Sequence, residues 1–214
     1  MVIRQPEEVA RRPKDPIAYL SELLSSRVRA QVLTYLVARA DEAFSLTQIA
    51  RGLALSISSV QHECYKLERL GILQGRPRQG SRRYQLDQTF LPTAAVIQLV
   101  ITAFTPQVLL GLALEDLAGG DGLQIAQVAG PLPPTSADST YLLLVGELSL
   151  DQLATAHERV ARLLDLPADS LQVAFFQPAQ WQSHVASRNE LVTRLQSLPR
   201  IPIIGSLGEA TPAA

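Results

Sequence analysis

The chain has 214 residues, of which 47% are hydrophobic and 18% are charged. At roughly 150 residues per domain, this length allows one large domain or two small ones, and the apolar content excludes a disordered chain. No uninterrupted apolar run reaches the roughly 18 residues of a membrane span, and the first six residues lack the apolar core of a signal peptide. We therefore expect a globular, cytoplasmic protein.

The cysteine and histidine content argues against a metal centre. Cys64 is the single cysteine, so neither a disulfide within the chain nor a cage of thiolates can form. His62, His157 and His184 are too scattered for a ligand motif. We predict no metal, no cofactor and no catalytic residue, and we interpret Cys64 as a core residue rather than a redox sensor.

Charge divides the chain into two halves. Residues 1–91 contain 14 Lys or Arg and 9 Asp or Glu, a net charge of +5, whereas the remainder contains 5 and 11, a net charge of −6. Because contact with a polyanion is a property of one local face, this division favours nucleic-acid binding by the first half. A chance division of solvated charge is the alternative.

The predicted elements begin after a leader of residues 1–15, which has no apolar period. Apolar residues at three- and four-residue steps predict a helix from residue 17 to about 39, with a break near Ser25 and Ser26. A short extended pair and a helix follow over residues 44–53. The next helix, residues 57–70, has Ile57, Val60, Cys64 and Leu67 on one face and ends at a glycine. Short strands at residues 72–74 and 83–86 flank a polar tip.

The second half begins with an apolar segment, residues 92–118, which we predict to be a connecting and dimerisation helix. It is apolar around most of its girth, so either a second copy or this chain's own second domain must cover it. Glycines at 119, 120 and 122 predict a hinge or a turn. Strands and helices then alternate over residues 119–205, as in an α/β layer, and residues 206–214 form a tail. The predicted fold class is α+β.

The order helix, short strand, helix, helix, hairpin over residues 16–91 is that of a winged helix-turn-helix. Residues 55–73 contain Leu-Ser-x-Ser-x-Val, then Leu-x-x-Leu, then Gly-Ile-Leu, and this combination resembles the recognition helix and first wing strand of ArsR-like regulators. Further upstream, the segment Leu24-Ser25-Ser26-Arg27-Val28-Arg29 resembles the beginning of a helix in the same family. The resemblance implies binding of double-stranded DNA. It does not carry over metal sensing, because the thiolate and imidazole clusters are absent.

Candidate DNA contacts follow from the helical step of 100° per residue. With Val60 buried, polar side chains lie on the opposite face, where a recognition helix reads base edges. The predicted contacts on this helix are Ser58, Gln61, His62, Tyr65, Lys66 and Arg69. Those on the wing are Arg76, Arg78, Gln79, Ser81, Arg82 and Arg83, with support of the strand as the alternative role of Arg83.

The second half resembles a minimal nucleotidyltransferase domain in the order of its elements and in short sequence segments such as residues 142–146 and 200–205. The resemblance implies a Gly-Ser turn for the phosphates and an Asp-x-Asp pair for the metal. Here the matching residues are Gly130-Pro131 and Thr140-Tyr141-Leu142, and Asp138 is alone nearby. We therefore expect a catalytically inactive derivative that serves dimerisation or effector binding.

Together these patterns predict a sequence-specific transcriptional regulator that binds DNA as a homodimer and is not an enzyme. Two alternatives remain: an active nucleotidyltransferase of the antitoxin-linked type, and a protein–protein interaction module. The sequence identifies no small-molecule effector.

Overall fold

The computed structural model describes residues 15–78, 80–118, 122–134 and 139–205. The predicted leader (except its last residue), the tail, Gln79, Asp138 and most of the predicted glycine segment lie outside these ranges. The described residues form helices and small sheets in an α+β fold. The chain divides into two compact units, the first ending at Phe104 and the second beginning at Thr105.

Serine residues cap the N-termini of three helices in the first unit. The predicted break near Ser25 is confirmed: one helix ends at Leu23, Ser25 has a φ of +54°, and Ser26 caps the next helix. Ser45 and Ser56 cap the following two helices in the same way. These elements are α1 (Pro16–Leu23), α2 (Arg27–Ala38), β1 (Phe44–Ser45), α3 (Leu46–Gly52) and α4 (Ile57–Arg69).

A three-stranded antiparallel sheet completes this unit. Its hairpin consists of β2 (Leu73–Arg78) and β3 (Ser81–Leu86), and the strand order is β1-β3-β2. The predicted strands were too short, because the arginine-rich tip is itself paired, with Arg76 opposite Arg83. Pairing of the backbone does not require apolar side chains, so periodicity alone could not show it.

The apolar segment after the hairpin is not the single connecting helix that we predicted. It forms α5 (Leu91–Ala103) and α6 (Pro106–Leu114), followed by a short 3-10 turn at Glu115–Leu117. Pro106 disfavours helical backbone at Thr105, which is extended with ψ 147°. Within their own units, α5 packs against α1 and α2, and α6 packs against α7 (Leu150–Leu163).

The second unit is a four-stranded mixed sheet with helices. It contains β4 (Leu123–Ala129), β5 (Thr140–Gly146), β6 (Leu171–Phe176) and β7 (Arg200–Ile204) in the order β6-β5-β4-β7, with only β5 and β6 parallel. The sequence predicts a helix from residue 178 to about 198 with a break near Ser187. The break is confirmed, because α8 (Pro178–Ala186) has Ser187 as its C-cap and α9 (Glu190–Ser197) follows it.

The core on one face of this sheet is built around Trp181 of α8. It combines Leu143 and Val145 of β5 with Val192 and Leu195 of α9. The position of Trp181 in a predicted helix favours core packing over the lining of a pocket. This prediction is confirmed, since the side chain is buried.

In the described part of the chain, no single helix is long and apolar enough to span a membrane. The consecutive helices α5 and α6 reach the length and apolar content of a membrane span only when they are taken together.

Candidate nucleic-acid interface

Helix α4 buries one face and exposes the opposite one. Val60, Cys64 and Leu67 are buried, as predicted, but Ile57 is 49% exposed, so its assignment to the buried face was wrong. The buried arc is instead shifted toward Glu63, because Ser26 and Arg29 at the start of α2 cover that carboxylate. An ion pair with a residue 34 positions away leaves no trace in apolar periodicity.

The exposed face of α4 brings together most of the predicted helix contacts. Tyr65 is 57% exposed, and the Oγ of Ser58 lies 3.2 Å from the Oγ of the capping Ser56. Lys66 is half-buried, and its Nζ lies 3.6 Å from Glu63 Oε1. The exposed residues on this face are Ser58, Gln61, His62, Tyr65 and Arg69.

The hairpin carries its cations on two sides. Alternation along paired strands places Arg76, Arg78 and Ser81 on the same side as Arg83, and Arg82 on the opposite side. Arg76, Arg78, Ser81 and Arg82 are exposed. Arg83 is half-buried, and its Nη1 donates a hydrogen bond to the carbonyl of Ala43 at 3.1 Å. This contact agrees with the alternative role of Arg83, which is to support the strand.

Glu68 joins α4 to the hairpin. Its carboxylate forms an ion pair with Arg82 and accepts a hydrogen bond from the backbone N–H of Gly75 at 3.1 Å. A Cβ at residue 75 would lie 2.6 Å from Glu68 Oε1 and 2.5 Å from Arg82 Nε, so glycine leaves room for this contact. The hairpin is thereby held at a fixed place beside the C-terminal half of α4.

Glu63 organises the side chains between α2 and α4. It accepts hydrogen bonds from Arg29 Nε at 2.9 Å and from Ser26 Oγ at 3.3 Å. Burial alone would raise the pKa of Glu63, but the hydrogen bond and charge of Arg29, the charge of Lys66 and the hydrogen bond from Ser26 together hold the pKa below its ordinary value. The carboxylate is therefore ionised at neutral pH.

Cys64 lies in the core of the same unit. Burial, followed by the carboxylates of Glu63 and Glu68, raises the pKa of the thiol to about 12. The raised pKa favours the protonated thiol near neutral pH and disfavours the nucleophilic thiolate that a redox sensor uses.

In the second unit, the residues that stand where a nucleotidyltransferase would have catalytic carboxylates are buried. Thr140 and Leu142 are fully buried, and Thr140 Oγ1 donates a hydrogen bond to the carbonyl of Pro131 at 2.5 Å. Gly130 has a φ of +120°, and a Cβ there would lie 2.6 Å from the carbonyl oxygen of Ser139. Gly130 and Pro131, at the start of this loop, therefore lie close against Ser139 and Thr140.

The remaining histidines have local contacts. In the second unit, His157 Nε2 lies 2.9 Å from the carbonyl of Leu171, and the His184 ring packs edge-on against Phe176. Among the described residues, no group of three His, Cys, Asp or Glu side chains could hold a metal ion.

Sequence reasoning missed two buried or partly buried arginines. Arg29 and the fully buried Arg159 act within their own units, the latter donating to the Ala113 carbonyl at 2.7 Å and to Asp116 at 2.8 Å. Their partners are distant in sequence, so no spacing motif could have found them.

Comparison with known proteins gives no relative from which to transfer a role. No protein-family model, curated protein or solved structure matches this chain.

Proposed function

We propose that the protein is a sequence-specific transcriptional regulator that binds double-stranded DNA through its first unit, arranged as a winged helix-turn-helix. In this proposal α4 is the recognition helix and the β2–β3 hairpin is the wing. The observation that carries the proposal is the joint exposure of a polar face on α4 and a cationic hairpin held beside it by Glu68.

The side chains divide into two expected roles. His62 and Tyr65 project from the exposed face of α4 and suit base edges in a major groove. Arg76 and Arg78 share one side of the hairpin and suit phosphates or a minor groove. Arg83 is omitted from the contacts, because its guanidinium is engaged with Ala43.

The test begins by selecting bound duplexes from a random pool, because the target sequence is unknown. Arg76→Ala with Arg78→Ala should weaken binding to all duplexes alike and reduce the salt slope by about two, since each phosphate contact contributes roughly 0.9. His62→Ala or Tyr65→Ala should instead reduce the preference for the selected site, by about 1–3 kcal/mol. Fluorescence anisotropy measures both effects.

The matched control is Arg194→Ala, which removes an exposed arginine from α9 of the second unit and should leave binding unchanged. Unchanged affinity in all the α4 and hairpin variants, with intact circular dichroism, contradicts the proposal.

We propose that the second unit is a catalytically inactive, nucleotidyltransferase-like domain that serves dimerisation or effector binding. The support is chemical: Thr140 and Leu142 are buried and lack carboxylates, and Pro131 offers no N–H to a phosphate. Incubation with Mg²⁺ and labelled nucleoside triphosphates should transfer no label. Metal-dependent labelling that survives repurification contradicts this proposal.

We also propose that the regulator is a homodimer, because two recognition helices on half-sites about one turn apart gain affinity together. Helix α5 supports this proposal. Its thirteen residues include no charged side chain, yet only Thr93 and Val100 are buried. In a dimer with two-fold symmetry, α5 of the second copy would cover the exposed side of α5.

A further inference from the structure

A small open cavity lies between the beginning of α2 and the C-terminal half of α4. It has a volume of about 260 Å³ and is lined by Arg29, Lys66, Arg69 and Leu70. Ligand sites for drug-sized molecules generally span about 300–1,000 Å³, so this cavity suits a single small group.

The cavity has an excess of positive charge. Three cationic side chains line it, and Glu63 is the carboxylate that contacts two of them, Arg29 and Lys66. Arg69 has no hydrogen-bond or ion-pair partner within the described ranges, and it is exposed. One carboxylate against three cations leaves a net charge of about +2 at this place.

Arg29 is held in a fixed orientation. Its Nε donates to Glu63 Oε2 at 2.9 Å and its Nη1 donates to the carbonyl of Leu24 at 2.8 Å. The terminal nitrogen Nη2 has no hydrogen-bond partner among the residues that the structure describes. A planar guanidinium whose orientation is already fixed loses little further entropy when it binds an oxyanion.

We propose that this cavity is a phosphate-binding site formed by Arg29, Lys66 and Arg69. A phosphate group presents several oxygens to donors from two helices, and its negative charge balances the local excess better than one carboxylate does. The source is either a phosphate of bound duplex DNA or a free phosphate compound. The inference does not depend on the proposed function, because both sources offer the same chemical group.

The first experiment uses the full chain, labelled with ¹⁵N, and inorganic phosphate as the probe. Phosphate is titrated against sodium chloride at equal ionic strength, and the arginine Nε–H signals and the Leu70 amide are followed by NMR. We expect saturable shifts with phosphate only. Arg69→Gln should raise the Kd about two- to fivefold, as loss of one exposed charge pair predicts.

Two control variants separate the site from general charge effects. Arg69→Lys keeps the charge without the planar fork and should lie between wild type and Arg69→Gln. Arg194→Gln removes an exposed charge from the second unit and should titrate like wild type. Shifts that do not saturate, or equal Kd values for wild type and Arg69→Gln, overturn the proposal.

The second experiment identifies the source of the phosphate. If duplex DNA supplies it, Arg69→Gln reduces the salt slope of DNA binding by about one. If a free phosphate compound supplies it, that slope is unchanged while the phosphate Kd is still raised. Absence of any DNA binding contradicts only the proposed function, because the phosphate titration contains no DNA.

Discussion

At the scale of single residues, the Glu63–Arg29 pair gives the clearest prediction. The Glu63 side chain is 8% exposed and the Arg29 side chain 22%, so removal of the carboxylate leaves a partly buried guanidinium without its partner. Glu63→Gln should therefore lower the free energy of unfolding at pH 7 by about 1–3 kcal/mol. Urea unfolding followed by the NMR signals of α4 measures the loss.

The same pair predicts a pH dependence. Because the folded pKa of Glu63 lies below its ordinary value of 4.5, its ionised form stabilises the fold above that value. The contribution is lost as the pH falls through the folded pKa, so the difference between wild type and Glu63→Gln should shrink under acidic conditions. Glu158→Gln, which removes an exposed carboxylate from α7, is the control. A difference that is constant from pH 7 to pH 3 speaks against the ion pair.

Single residues also mark the limit of the sequence-based prediction. Helical periodicity correctly placed Val60, Cys64 and Leu67 inside and His62 and Tyr65 outside, because those positions depend only on the local helix. It could not place Arg83, whose partner Ala43 lies 40 residues away.

At the scale of elements, α5 tests the proposed dimer. Residues at steps of four, three and four, namely Leu91, Ala95, Gln98 and Thr102, are exposed along one side, with Leu91 at 83%. Ala95→Glu should add a charge to this side while retaining helix propensity, so we expect a monomer with intact circular dichroism. Light scattering reports the halved mass.

The inner side of α5 supplies the contrast. Val100 is fully buried, so Val100→Glu should reduce the unfolding free energy by several kcal/mol, because it buries an unpaired charge. A wild-type chain that is monomeric at micromolar concentration, or a dimer that persists in Ala95→Glu, contradicts the assignment of this face.

The elements themselves were predictable to different degrees. The break near Ser25 and Ser26 and the glycine after α4 were predicted from the sequence, since these residues act on neighbouring backbone groups. The length of the hairpin strands was not, because their pairing uses backbone groups that polar side chains do not reveal.

At the scale of the whole molecule, the division into units lies inside the segment that sequence analysis treated as one connector. Residues 92–104 carry no charge, so the first unit retains the net charge of +5 and the second retains −6. The division of charge along the sequence therefore coincides with the division into units. It could not locate the boundary, because both helices of the segment are equally apolar and only their packing assigns them to different units.

This boundary predicts how the chain can be divided. A fragment of residues 1–104 retains α5 on α1 and α2, whereas a fragment of residues 1–91 removes it and exposes the surface that α5 covers. Each apolar side chain that is fully buried in the contact with α5 contributes roughly 1.5–3 kcal/mol to the free energy of unfolding. That is a large part of the stability of a small unit. We expect the 1–104 fragment to unfold cooperatively in urea and to bind the selected duplex, and the 1–91 fragment to lose cooperative unfolding. If the shorter fragment unfolds with the same midpoint and steepness as the longer one, α5 is not part of the first unit, and its apolar side chains must be buried elsewhere.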